Sequence, residues 1–167
     1  VSIVPRSMCK VFKTYVLPQI EYVSCVYSPP NNSNLCKVLE KPLRLFSRLV
    51  CKRCNVSYTS YSNRLEIINM PPLYIRRNMA DILEVFKILN NDAFHPNHPF
   101  VLTNQTRHPY RLIRQPLPYD NNNWFYPRSE KLWNSIASQI LDIEKLEPFK
   151  SLIDRLLSNT THLSFML

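Results

Sequence analysis

Apolar residues recur along this chain at helical rather than alternating spacing. Met8, Val11, Phe12, Tyr15 and Val16 mark a first amphipathic helix, which Pro18 should stop or kink. The Pro-Pro-Asn-Asn run at 29–32 predicts a turn. A long second helix is predicted from about Asn34 to Cys54, with Leu35, Val38, Leu39, Phe46, Leu49 and Val50 assigned to one face. Pro42 breaks that pattern, so a kink or two shorter helices is expected. Ser57 or Ser60 is placed to cap a short helix ending near Ile68. Pro71-Pro72 opens the strongest helical pattern, about 72–90. Its apolar positions Ile75, Met79, Ile82, Leu83, Phe86, Ile88 and Leu89 wrap widely enough to sit centrally in a core.

Residues 91–125 are rich in Pro, Asn and His and carry no helical period. Within them Tyr110, Leu112 and Arg114 alternate, which predicts a short hairpin with Leu117 and Tyr119. Leu132, Trp133, Ile136 and Ile140 mark a fifth helix from about Arg128. Phe149, Leu152, Ile153, Leu156 and Leu157 mark a last one that starts near Pro148, and the residues after Asn159 are expected to fray. The fold class is therefore mainly α: a helical region over residues 1–90, then a mixed region over 91–167 with a short hairpin and two C-terminal helices.

Composition narrows the function classes. The chain of 167 residues is 45% hydrophobic, enough to bury a core as one domain or two small ones. No apolar run is long enough to span a bilayer. Five cysteines, an odd number, do not read as a disulfide framework; reduced thiols and an intracellular place, nuclear or cytoplasmic, are expected. The chain begins with Val and has no long apolar leader, which reads as a fragment or a gene model missing its start more than as a secreted protein. Glycine is absent, and that excludes phosphate-binding loops whose backbone must approach the ligand closely. Asparagine and proline must then serve the turns and helix stops, with Asn31-Asn32, Asn90-Asn91 and Asn121-Asn122-Asn123 as the expected stops. A net charge of +9 points to a polyanionic partner.

The cations are ordered. Lys37, Lys41, Arg44, Arg48 and Lys52 share one helical face, with Glu40 the lone acid among them. Such a stripe suits a phosphate backbone, each contact releasing counterions; a solvated outer face is the alternative. Arg76-Arg77 and Arg107, His108, Arg111 and Arg114 are further candidates, with Tyr110, Trp124, Phe125 and Tyr126 near the second group. Arginine among aromatics suits stacking of single strands, although the rings serve equally as core anchors. Arg77 could instead pair with Asp81 or Glu84 at helical spacing. Cys51 and Cys54 with His95 and His98 have zinc-ligand chemistry, but the gap between the pairs is long for a finger, and helix-end thiols beside a loop histidine pair are the other reading. No nucleophile, base and carboxylate are brought together by spacing, so no catalytic set is assigned.

Three ordered blocks carry a family resemblance. KTYVLPQIEYVSCVYSP (13–29), RLEIINMPPLYIRRNMADILEVFKILNN (64–91) and RSEKLWNSIASQILDIEKLEPFKSLIDRLL (128–157) resemble successive motifs that follow the polymerase core in reverse transcriptases of non-LTR retrotransposons of the LINE-like, jockey or RTE type. The resemblance covers about residues 10–157. It implies a thumb-like helical bundle and post-thumb region of an RNA-directed DNA polymerase. The expected partners are RNA and DNA as a template–primer duplex, together with the palm and fingers of the parent enzyme, and no membrane. The parent would use a divalent metal, Mg by expectation; the fragment itself would need no cofactor. The catalytic aspartate pair of that family is missing here. Asp81, Asp92, Asp120, Asp142 and Asp154 are isolated, whereas two-metal chemistry needs carboxylates converging on ions about 3.5–4 Å apart. Binding without polymerisation is the expected behaviour, and a decayed, non-catalytic interaction remnant is the alternative. The sequence also departs from the family pattern at helix stops, with Asn69-Met70 and Asn91 where the family carries glycine. Trp133, Asn134 and Ser135 match the family's most recognisable triplet, and Trp133 reads as a core anchor with Asn134 as a helix-end hydrogen bonder.

Overall fold

A computed structural model describes residues 6–22, 24, 26, 28–29, 33–57, 59–90, 98–103, 110–115, 124–139 and 146–159. The protein is mainly helical, with one small antiparallel sheet. The helices are α1 (Arg6–Val11), α2 (Leu17–Glu21), α3 (Asn34–Arg53), α4 (Tyr61–Ile68), α5 (Leu73–Asn90), α6 (Phe125–Ile136) and α7 (Leu146–Asn159). The strands are β1 (Phe100–Leu102) and β2 (Leu112–Arg114). Packing divides the chain within α5: one unit holds the described residues up to Ser24 and Pro29–Arg77, the other those from Asn78 onward with Val26 and Ser28.

Neither internal proline ends its helix. A π-helical turn at Phe12–Val16 joins α1 to α2, with the N–H of Leu17 reaching back to the carbonyl of Phe12. It stands directly ahead of Pro18, whose ring would press on the carbonyl of Thr14 in a regular turn. Pro42 lies inside an α3 that runs unbroken for 20 residues, in place of two shorter helices. The carbonyl that loses its donor there belongs to Val38, whose side chain is exposed, so water can take the missing N–H's place. Ser33 caps α3 by accepting from Cys36 N at 3.1 Å, and Ser60, of the two candidate serines, caps α4 through Asn63 N at 3.2 Å. Left-handed backbone falls at Asn55 (φ 52) and Asn69 (φ 50), which close α3 and α4. Asparagine tolerates this region better than other non-glycine residues, so it takes the role in a chain without glycine. Of the expected stops, Asn90 ends α5, and the other asparagines named for that role lie outside the described residues.

The first unit centres on Phe12, Leu17, Leu43, Val50, Leu65, Ile68, Met70 and Leu73. Phe12 stacks on Phe46 with ring centroids 4.1 Å apart. The buried face of α3 is Cys36, Glu40, Leu43, Ser47, Val50 and Cys51. This corrects the expected apolar face, since Leu35, Val38 and Leu49 lie about half exposed. The helix carries two apolar stripes, and periodicity alone did not rank them.

In the second unit Trp133, Phe149, Val85, Ile82, Ile88, Leu112 and Ile153 are fully buried, and Phe149 packs on Phe86 and Trp133. The hairpin pairs Phe100 with Arg114 and Leu102 with Leu112. The expected partner strand at 117–119 lies outside the described residues, and the strand found at 100–102 is hidden in the Pro- and Asn-rich stretch. Asn134 accepts from Leu112 N at 2.8 Å and donates to Leu112 O at 3.0 Å, while Trp133 Nε1 donates to Tyr110 O at 2.7 Å. Trp133 and Asn134 thus fasten α6 to β2 and to Tyr110 ahead of it, where a helix-end role was expected for Asn134, while Ser135 donates within α6 to Leu132 O at 2.6 Å. Asp81, itself buried, receives both arms of Arg128 at 2.7 and 3.0 Å.

Removing Asp81 would take both of these contacts from Arg128, whose side chain is only 14% exposed. Asp81→Ala is expected to lower stability in urea unfolding by about 1.5–3 kcal/mol. Lys87→Ala, which breaks only the exposed pair with Glu84, should cost less than about 1 kcal/mol.

Candidate nucleic-acid interface

Each of the five cations of the α3 stripe, Lys37, Lys41, Arg44, Arg48 and Lys52, is exposed. Glu40 is not part of that stripe. It is buried, and its Oε1 accepts the phenol of Tyr61 at 2.5 Å and the N–H of Leu73 at 3.2 Å. Pro71 and Pro72 carry no N–H, so Leu73 offers the first free donor at the start of α5, where the helix dipole also favours a carboxylate. With the only acid turned inward, the outer stripe is wholly cationic. Arg44 stacks over the Tyr61 ring, its guanidinium carbon 4.4 Å from the centroid, which pre-orients one cation of the row.

A second cationic row escaped the sequence reading. Arg6, Lys10 and Lys13 are all exposed and stand at i, i+4 and i+7 along the first helical segment. That spacing is legible in the sequence, interleaved with the apolar repeat of Met8, Val11, Phe12, Tyr15 and Val16. Arg53, exposed at the end of α3, was likewise passed over.

Of the other candidates, Arg76, Arg77 and Arg114 are engaged within the fold. Arg76 forks Glu21, with Nη2 to Oε2 at 3.0 Å and a short Nε–Oε1 contact. Arg77 is buried and donates to Cys36 Sγ at 3.1 Å. It pairs with neither Asp81, which Arg128 takes, nor Glu84, which Lys87 takes. Arg114 bonds Glu130 at 3.2 Å, Arg111 is exposed, and Arg107 and His108 lie outside the described residues. Phe125 and Tyr126 pack edge-on against Phe100 as anchors of the second unit's core, whereas Trp124 is 48% exposed.

Among the described residues no three His, Cys, Asp or Glu side chains are placed to hold a metal ion. His98 Nδ1 accepts the N–H of Phe100 at 3.2 Å, and His95 lies outside the described residues. Burial pushes the Cys9 and Cys51 thiols up, which disfavours the thiolate a metal needs. No described helix is long and apolar enough to cross a membrane.

An uncharacterized protein of Caenorhabditis elegans is 34% identical to the chain over 121 residues, spanning 67% of this chain and 60% of that protein. The chain thus matches about three-fifths of that relative's length. No family model and no solved structure matches the chain.

Burial first, then hydrogen bonding to Glu40, raises the Tyr61 pKa above its ordinary value. The folded state therefore holds this proton more tightly than the unfolded chain. Its stabilising contribution is complete below the unfolded value near 10 and is lost as pH rises beyond it. Tyr61→Phe is expected to cost about 1–2 kcal/mol at pH 7. It should also flatten the fall in urea midpoint that the unaltered protein shows above about pH 10. Equal slopes in the two proteins would place the alkaline loss on other groups.

Proposed function

We propose that this chain is a nucleic-acid-gripping C-terminal portion of a non-LTR retrotransposon reverse transcriptase, binding the RNA–DNA template–primer duplex through α3. The parent polymerase would supply the catalytic carboxylates and its divalent metal, and this portion alone polymerises nothing. The identity of the parent rests on the three ordered sequence blocks.

The observation that carries the binding role is where the charge lies. Residues 1–77 hold twelve Lys and Arg against three Asp and Glu, and residues 78–167 hold nine against nine. The whole net charge of +9 therefore belongs to the first stretch. Of its three acids, Glu21 is paired with Arg76 and Glu40 is buried against Tyr61. The exposed rows on α1 and α3 are left with almost nothing of opposite sign, an arrangement that costs self-repulsion unless a polyanion neutralises it. The α3 row runs from Lys37 to Lys52, about 22 Å at the helical rise, long enough to follow several phosphates.

Titration of an RNA–DNA duplex with salt tests this. Five phosphate contacts predict a log–log slope of about −4.5. Lys41→Glu, Arg44→Glu and Arg48→Glu together should abolish measurable binding at 0.15 M salt without loss of helical circular dichroism. A flat salt response, or unchanged affinity of the triple variant, would remove α3 as the duplex site. Heparin bound as tightly as duplex would favour generic polyanion binding by a decayed remnant.

A further inference from the structure

The exposed apolar residues of α3 are not scattered. Leu35, Val38, Leu45 and Leu49 are 53%, 50%, 57% and 49% exposed. With the half-buried Pro42 between them they fall at alternating steps of three and four. That is the a and d seam of a heptad pattern, and it lies on the side of α3 that the core does not use. The register then assigns every flanking residue. Lys41 and Arg48 take the g positions. Leu39 and Phe46 take the e positions, both half-buried, with Phe46 stacked on Phe12. One edge of the seam is therefore met at Phe46 by Phe12 of the first helical segment, and the other carries the cations Lys41 and Arg48.

We propose that this seam docks a helix from a partner protein, one with apolar a and d positions and acidic e and g positions. The charge pattern selects that occupant. A second copy of this chain would set its own g cations against Lys41 and Arg48 in an antiparallel pair. In a parallel pair it would offer Leu39 and Phe46, both apolar and half-buried. Neither arrangement brings an anion to the row. A helix lying in a lipid surface carries cations along both borders of its apolar face, and here one border is occupied by Phe12. Lys41 and Arg48 also belong to the row assigned above to phosphate. The inference thus rests on that reading for its regulatory content: an acidic helix on the seam and a duplex on α3 exclude one another.

The test uses the full chain and a synthetic 21-residue peptide of three heptads, with Leu at a and d and Glu at e and g. Fluorescence anisotropy at 0.15 M salt is expected to show binding of this peptide, with at least tenfold weaker binding when Lys replaces its Glu. Leu45→Ser with Leu49→Ser should weaken the Glu peptide at least tenfold and leave duplex affinity within twofold. Both leucines are about half exposed, so circular dichroism should be unchanged. Lys41→Glu with Arg48→Glu should weaken peptide and duplex alike, and the Glu peptide should displace bound duplex. Equal affinity for the Glu and Lys peptides, or a serine variant that binds the Glu peptide unchanged, overturns the proposal. So does a serine-sensitive dimer in sedimentation, or capture by phosphatidylserine vesicles without peptide binding. If the peptide behaves as expected but never competes with duplex, the seam stands and the duplex site lies elsewhere.

Discussion

The first unit depends on where one carboxylate goes. Glu40 stands among cations in sequence, and an outward position would have neutralised part of their row. It turns instead into the core, where one oxygen takes the phenol of Tyr61 and the first free N–H of α5. Three helices meet at that atom. Burying a carboxylate is costly unless hydrogen bonds replace its water, and here the donors come from a capping position and from a ring that also carries Arg44. The same arrangement that ties α3, α4 and α5 together strips the outer face of α3 of its one anion. Folding and surface charge are thus linked through a single side chain.

Neighbouring buried polar groups follow the same logic. Ser47 is fully buried and receives Arg64 Nε at 3.4 Å, while Arg64 Nη1 donates to Thr59 O at 2.8 Å. Arg77 contributes one donor to Cys36 Sγ, with its Nε and Nη1 lacking a hydrogen-bond partner among the described residues. Polar burial in this unit is concentrated between α3 and the segments that pack on it. That specifies which face of α3 points inward, since an apolar stripe on the other side would have satisfied hydrophobic burial alone.

In consequence α3 has three distinct faces. Its inward face is half polar, its second face is cationic, and its third is an aliphatic seam left open. A solvent-exposed helix ordinarily shows one apolar face and one polar face. An extra aliphatic stripe is unusual on a soluble protein, where contiguous exposed apolar patches are kept small. The charge asymmetry between residues 1–77 and 78–167 separates the roles further. The basic stretch carries the exposed cationic rows, and the neutral stretch is held by internal pairs such as Asp81 with Arg128 and Arg114 with Glu130.

The sequence by itself determined the helices, because 3.6-residue spacing of apolar positions is a local property. It also determined the cationic row, since residues three and four apart must share a face whatever the helix packs against. The serine cap of α4, the long α5 and the Trp133 anchor were legible for the same local reasons. Only tertiary structure decided which apolar stripe of α3 is buried, since two stripes of similar strength have the same period. Only tertiary structure turned Glu40 inward, paired Arg76 with Glu21 across 55 residues of sequence, and matched β1 to β2. Those outcomes depend on which groups arrive from distant parts of the chain to satisfy hydrogen bonds and charge. No spacing rule within one helix encodes that.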